Sequence, residues 1–198
     1  MSVSIEDIRK LKELTGVGLT DAKMALVEAD GNFDKALEAM RKKGLTKAEK
    51  KGDRETREGI IESYVHSGRI GVVVEVNCET DFVARLDDFK KLAHELAMQV
   101  AAMSPKYVSD ADIPAEEIAR VKKEAEERVA SEGKSADIAA KIVEGQVKKH
   151  FAEQVLMNQP YILEEGKTVE QHIKENIAKL GENIVIRQFK RIELGVNE

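Results

Sequence analysis

The run Ile70-Gly71-Val72-Val73-Val74-Glu75-Val76 constrains this chain more than any other stretch. Its β-branched residues fit a pleated strand, and apolar side chains at successive positions predict a strand largely covered on both faces. Just upstream, Ser67-Gly68 is a tight-turn signal. Before it, Ile61 to His66 reads as the partner strand, with Ile61 and Val65 inward and Glu62, Tyr64 and His66 outward. The pair is a β-hairpin. Ile184 to Ile192 reads as a last strand that rejoins the sheet. Most of what lies before and between has helical spacing, so the expected fold class is α+β, an antiparallel sheet with helices on one side.

Residues 4 to 43 read as three short helices. Ile5, Ile8, Leu11 and Leu14 share a face of the first, which Gly16-Val17-Gly18 ends. Thr20 is the expected cap of the second helix, with Ala22, Ala25, Leu26 and Ala29 on its apolar side and a stop at Asp30-Gly31. Asn32 is the expected cap of the third, which carries Phe33, Ala36, Leu37 and Met40 and is expected to stop at Gly44. Helices this short bury their faces only against one another. The expected organisation is a three-helix module over 1–45, a basic linker over 46–57 and an α+β core over 58–198.

Within the core, Phe89, Leu92, Ala93, Leu96, Val100 and Met103 form one helical stripe that Ser104-Pro105 stops. Pro114 opens a strongly charged helix with a thin seam of Ile118, Val121, Ala125 and Val129, ended at Gly133. A further helix from about Ser135 to Leu156 carries Ile138, Ile142, Val143, Val147 and Phe151. The stretch of about 110–157 suits a projecting helical hairpin. Thr168 and Gln171 have the spacing of a capping box, for a helix ending at Leu180-Gly181.

Charge and composition exclude several functions. The net charge is −5, but the segment from Arg41 to Arg57 holds eight basic residues against three acids. Such a stretch is either a solvated helix and linker or a phosphate-backbone contact. Only eight aromatics are present, and none flanks Lys42-Lys43 or Lys50-Lys51, so stacking platforms for single strands are missing. His66, His94, His150 and His172 are dispersed, and the single Cys78 permits neither an intrachain disulfide nor a Cys-rich zinc site. No phosphate-binding loop or dinucleotide fingerprint occurs. The expectation is a protein with no metal, no cofactor and no active site. No apolar run approaches a membrane span. The first residues, Met1 to Glu6, lack the regions of a signal peptide. A cytoplasmic location is expected.

One segment does not read as scaffolding: Asn77-Cys78-Glu79-Thr80-Asp81-Phe82-Val83-Ala84-Arg85. It leaves a strand and sets Phe82 among charged residues. Two readings stay open from the residues alone. Either Phe82 folds back to staple the following helix, or the loop presents it as an anchor for a partner.

Here the chain resembles the elongation factor Ts family, in which a Thr-Asp-Phe-Val stretch follows a strand ending in Val-Asn-Cys. Leu14-Thr15-Gly16-Val17-Gly18-Leu19-Thr20-Asp21-Ala22-Lys23 is similar to the family's opening turn. The three-helix module resembles its ubiquitin-associated-type domain. Ile142-Val143-Glu144-Gly145, Asn158-Gln159-Pro160-Tyr161 and Lys179-Leu180-Gly181-Glu182-Asn183-Ile184 resemble further landmarks in the same order. The resemblance implies guanine-nucleotide exchange on elongation factor Tu by binding, without covalent chemistry. It implies that Phe82 is a wedge and Asp81 its polar companion near the magnesium site of the GTPase, with Thr80 and Val83 setting the loop. Further implied contacts are Lys23, His66, Ile162, Leu163, Leu180 and Gly181. Long members carry two related core halves. This chain shows one, which implies a homodimer. A generic adaptor acting through residues 1–45 and an RNA-binding factor acting through the basic segment are the competing readings.

Overall fold

The valine-rich run forms the middle of a three-stranded antiparallel sheet. The computed structural model describes residues 3–130 and 136–196. Strands β1 (Glu58–His66), β2 (Ile70–Cys78) and β3 (Val185–Glu193) pair in the order β1-β2-β3. Ser67, Gly68 and Arg69 connect β1 to β2; Ser67 and Gly68 take left-handed φ values of 51° and 67°, and the Arg69 N–H closes the turn on the His66 carbonyl at 2.9 Å. Around the sheet lie α1 (Ile5–Thr15), α2 (Leu19–Glu28), α3 (Phe33–Glu49), a single turn α4 (Asp81–Ala84), α5 (Asp87–Met103), α6 (Ala115–Ala130), α7 (Ala136–Ala152) and α8 (Val169–Leu180). The fold class is α+β, as the patterning indicates.

Pairing decides which side of each strand faces the helices. Ile60, Glu62 and Tyr64 oppose Val76, Val74 and Val72, and these three valines are buried. The inward residues of β1 are therefore Ile60 and Tyr64, while Ile61 and Val65 point away, 72% and 66% exposed. This reverses the facing expected from the sequence. The period of two is right, but Ile60-Ile61 offers an apolar residue to either face, and only the register chooses. On β3 a register shift opposite Glu75 and Val76 leaves Arg187 without a partner. That extra residue lets both Ile186 and Phe189 face inward although they are three apart.

The inner face carries the main core. Phe89, Leu92, Ala93, Leu96, Ala97 and Val100 of α5 and Val169, Ile173 and Ile177 of α8 are buried against it. Among the described residues no helix covers the other face: Val73 is 46% exposed and Ile192 72%. The expectation of a strand covered on both sides is corrected accordingly.

The N-terminal helices enclose their own cluster of Leu11, Ala22, Ala25, Leu26, Ala36 and Met40. Asn32 caps α3 through the Lys35 N–H at 3.0 Å. Thr20 does not cap α2: that helix starts at Leu19, with Gly18 at the cap position and no side-chain bond. Nor does Gly44 stop α3, which runs on to Glu49. Without a Cβ, Gly44 lets α3 lie close against α8, where an added Cβ would meet that of Ala178 at 3.4 Å. The continued helix brings Ala48 into the main core.

Val121 clusters with Phe151, and Ala125 and Val129 cluster with Val143, so α6 and α7 run antiparallel along each other. The expected stop at Gly133 and start at Ser135 lie outside the described residues. At its other end α7 stops at Ala152, short of Leu156. Leu156 instead enters a short 3-10 turn fixed by its N–H bond to the Tyr107 carbonyl at 2.8 Å. The capping box of α8 forms as its spacing predicts, and Gly181 ends the helix at φ 85°.

Candidate functional site

Where β2 ends, Cys78 is buried and its thiol donates to the Thr80 carbonyl at 3.2 Å. Burial first, and then the nearby Glu182 carboxylate, push that thiol up to about 11. Such a group stays protonated and unreactive near neutrality. It serves packing, not chemistry.

Thr80 sits in extended conformation at the N-cap of α4, its hydroxyl accepting from the Val83 N–H at 3.5 Å. Val83 and Ala84 are buried and tie the turn to the main core. Phe82 lies on the opposite side of the same turn and is 76% exposed. Of the two dispositions open from the residues, the ring takes the outward one. Asp81 is half-exposed and accepts from Arg85 at 2.8 Å.

The corner between α8 and β3 closes on this loop. Glu182 Oε2 accepts from the Glu79 and Thr80 N–H groups, each at 3.0 Å, and its Oε1 accepts from the Thr80 hydroxyl at 2.6 Å. In return the Asn183 N–H donates to the Glu79 carboxylate at 2.7 Å. The buried Asn183 amide also donates to the carbonyls of Gly52 and Arg54, at 3.1 and 2.8 Å. These two residues stand inside a quoted landmark, yet their spacing gives no sign of the contact, because it joins segments about a hundred positions apart.

The structure thus brings Thr80, Asp81, Phe82 and Val83 together with the Leu180-Gly181 corner, whose half-buried Leu180 packs on the main core. It does not bring His66 there. His66 pairs with Ile70 at the far end of the hairpin from Cys78, roughly 26 Å away at about 3.3 Å per residue; its Nδ1 meets the Tyr64 hydroxyl at 2.9 Å. Ile162 and Leu163 are exposed beyond the buried Gln99, whose Oε1 accepts from the Ile162 N–H at 2.9 Å. Lys23 is exposed on α2.

Much of the basic segment is engaged internally. Arg41 bonds Glu164 at 2.8 Å and reaches Glu175 at 3.3 Å, Lys51 donates to the Gly181 carbonyl, and Arg54 lies 3.5 Å from Glu79. Among the described residues no group of three or more His, Cys, Asp or Glu is arranged to hold a metal ion. No described helix is long and apolar enough to cross a membrane.

Comparison with known proteins is consistent along the chain. The sequence profile of a family described as "Elongation factor TS" matches residues 45–176. A protein named elongation factor Ts from Fervidobacterium nodosum is 46% identical over 196 residues, covering 98% of this chain and 100% of that protein. The protein of the same name from Thermotoga petrophila is 51% identical over 196 residues, covering 98% of each. That from Syntrophomonas wolfei is 48% identical over 194 residues, covering 98% of this chain and 91% of the relative.

Proposed function

Because this chain belongs to the elongation factor Ts family, we propose that it promotes release of GDP from elongation factor Tu by binding, with no covalent step of its own. Phe82 is the wedge that enters the GTPase beside its magnesium and phosphate site, and Asp81 is its polar companion. Thr80 and Val83 hold the turn from which both project. The single observation that carries this reading is the 76% exposure of Phe82 on a turn whose Val83 and Ala84 are anchored in the core. A ring presented this way loses little conformational freedom on entering a pocket, so its burial goes mainly into displacing what it meets.

The magnitudes fit a division of labour. Burying one Phe contributes about 1.5–3 kcal/mol, which corresponds to roughly one to two decades of nucleotide weakening at about 1.4 kcal/mol per decade. The rest of the effect comes from a wider interface. Leu180 and Gly181 beside the loop, and Lys23, Ile162, Leu163 and His66, are its proposed further contacts, and the distance of His66 from the loop implies a partner that embraces the molecule. Coupling is reciprocal: what loosens GDP on the partner is loosened by GDP in turn. The factor therefore departs once nucleotide rebinds.

A homodimer belongs to the same reading. The uncovered sheet face presents Ile61, Val65, Val73 and Ile192, and a second copy would supply the second core half that longer family members carry. The residue organisation that goes with it is a module over 1–45, a linker over 46–57 and a core over 58–198. A direct nucleic-acid contact is not assigned, since Arg41, Lys51 and Arg54 are occupied within the chain. A cytoplasmic location accompanies a role in translation elongation.

Stopped-flow release of fluorescent GDP from elongation factor Tu tests the proposal. Faster release with the protein present supports it; equal rates with and without the protein remove it.

A further inference from the structure

We infer that Glu182 is the positioning residue of the Phe82 wedge, acting through the hydroxyl of Thr80. The inference rests on the exchange reading above and extends it to a residue which that reading does not count among the partner contacts.

The carboxylate sits where three donors converge, two backbone N–H groups and one hydroxyl, all from residues 79 and 80. A carboxylate is the only side-chain group that accepts from all three at once, and charge-assisted bonds of this kind are short and strong. The hydroxyl has one proton. By giving it to Glu182 at 2.6 Å, Thr80 turns a lone pair toward the Val83 N–H, the bond that caps α4. The cap in turn sets the start of a turn whose second residue is Phe82. So Glu182, through Thr80 and the cap of α4, fixes the direction of the ring together with the buried Val83 and Ala84.

The anchor itself is rigid. Gly181 ends α8 in the left-handed region, Asn183 is buried with its amide on two carbonyls, and Ile184 joins the main core. Glu182 thus stands between two fixed residues, which makes it a reference point and not a mobile partner. A wedge that must enter a pocket needs such a reference, since misplacement by about 1 Å can cost about 10²-fold in rate.

The test separates direction from docking. GDP release from elongation factor Tu is followed against factor concentration for wild type, Glu182→Gln, Glu182→Ala, Thr80→Val and the double variant Glu182→Gln/Thr80→Val. Thermal unfolding is recorded for each, and Glu182→Gln serves if Glu182→Ala does not fold. The expected result is a maximal release rate lowered by about 10-fold to about 10²-fold, with the half-saturating concentration nearly unchanged. Gln, which keeps one accepting oxygen, should fall less than Ala. The double variant should lose less than the two single losses combined, because the bond between Glu182 and the Thr80 hydroxyl is shared by both. Additive losses, or a raised half-saturating concentration with an unchanged maximal rate, overturn the inference. If wild type accelerates release and the Glu182 variants match it, the positioning role fails and exchange stands. If wild type gives no acceleration, the exchange reading itself fails.

Discussion

Gly16 lies so close to Lys179 that a Cβ on the glycine would come within 2.7 Å of the lysine Cα. The turn after α1 is thereby seated on the last turn of α8, backbone against backbone. Gly16 also adopts φ 66° as the cap of α1, so two separate requirements fall on one residue. With Arg41 between Glu164 and Glu175, and Lys51 on the Gly181 carbonyl, the contact joins the N-terminal helices to the helix that leads into the Glu182 corner.

Gly16→Ala is predicted to destabilise the protein by more than Gly31→Ala. Both glycines have positive φ, but nothing lies within 4 Å of a Cβ at Gly31. The backbone cost alone is about 1–3 kcal/mol, and the clash adds to it only at Gly16. Thermal unfolding midpoints of the two variants compare them; equal losses would show that the close approach contributes nothing.

Gln99 holds the turn after Pro160 from inside the core. Its amide donates to the Gln159 side chain at 3.2 Å and to the Pro160 carbonyl at 3.1 Å, while its oxygen accepts from the Ile162 N–H. Gln99→Leu should cost about 2–4 kcal/mol, since it strands buried polar groups. Denaturant unfolding measures this, and a loss under about 0.5 kcal/mol, the usual scale for a neutral surface change, would contradict it.

Cys78 predicts a pH dependence. Its folded-state value of about 11 lies above the ordinary 9.0, so the folded protein keeps the thiol proton that the unfolded chain releases. The associated stability is fully present below the ordinary value and is lost as pH rises through about 11. Wild type should therefore lose stability relative to Cys78→Ala across that window. A stability difference constant with pH would refute the assignment.

Local signals in the sequence were readable because their causes are local. Asn32, the Thr168–Gln171 box and Ser67-Gly68 each act within three residues. What escaped depends on distant partners. The facing of β1 was undetermined because Ile60 and Ile61 are both apolar, and the pairing of Ile60 with Val76 settles it. Past Gly44, α3 runs on into the main core, where Ala48 is buried among residues distant in sequence. In the site, the Asp81-Phe82 turn stood out as an apolar residue among charges. Glu182 did not, since an acid after a helix-ending glycine looks like any solvated residue.

The uncovered sheet face gives a prediction about assembly. Ile61 is exposed and outside the core, so Ile61→Lys should leave the fold intact while opposing association of a second copy. Sedimentation of wild type should show a dimer and of Ile61→Lys a monomer. A monomeric wild type, or a variant that sediments as wild type does, would dismiss this face as the interface.

In the proposed exchange function Phe82 acts from outside the core. Release of GDP from elongation factor Tu at saturating factor, compared between wild type and Phe82→Ala of equal thermal stability, tests it most directly. The predicted result is a loss of about one to two decades in the release rate, the burial of a single ring. A variant that releases GDP as fast as wild type would contradict it.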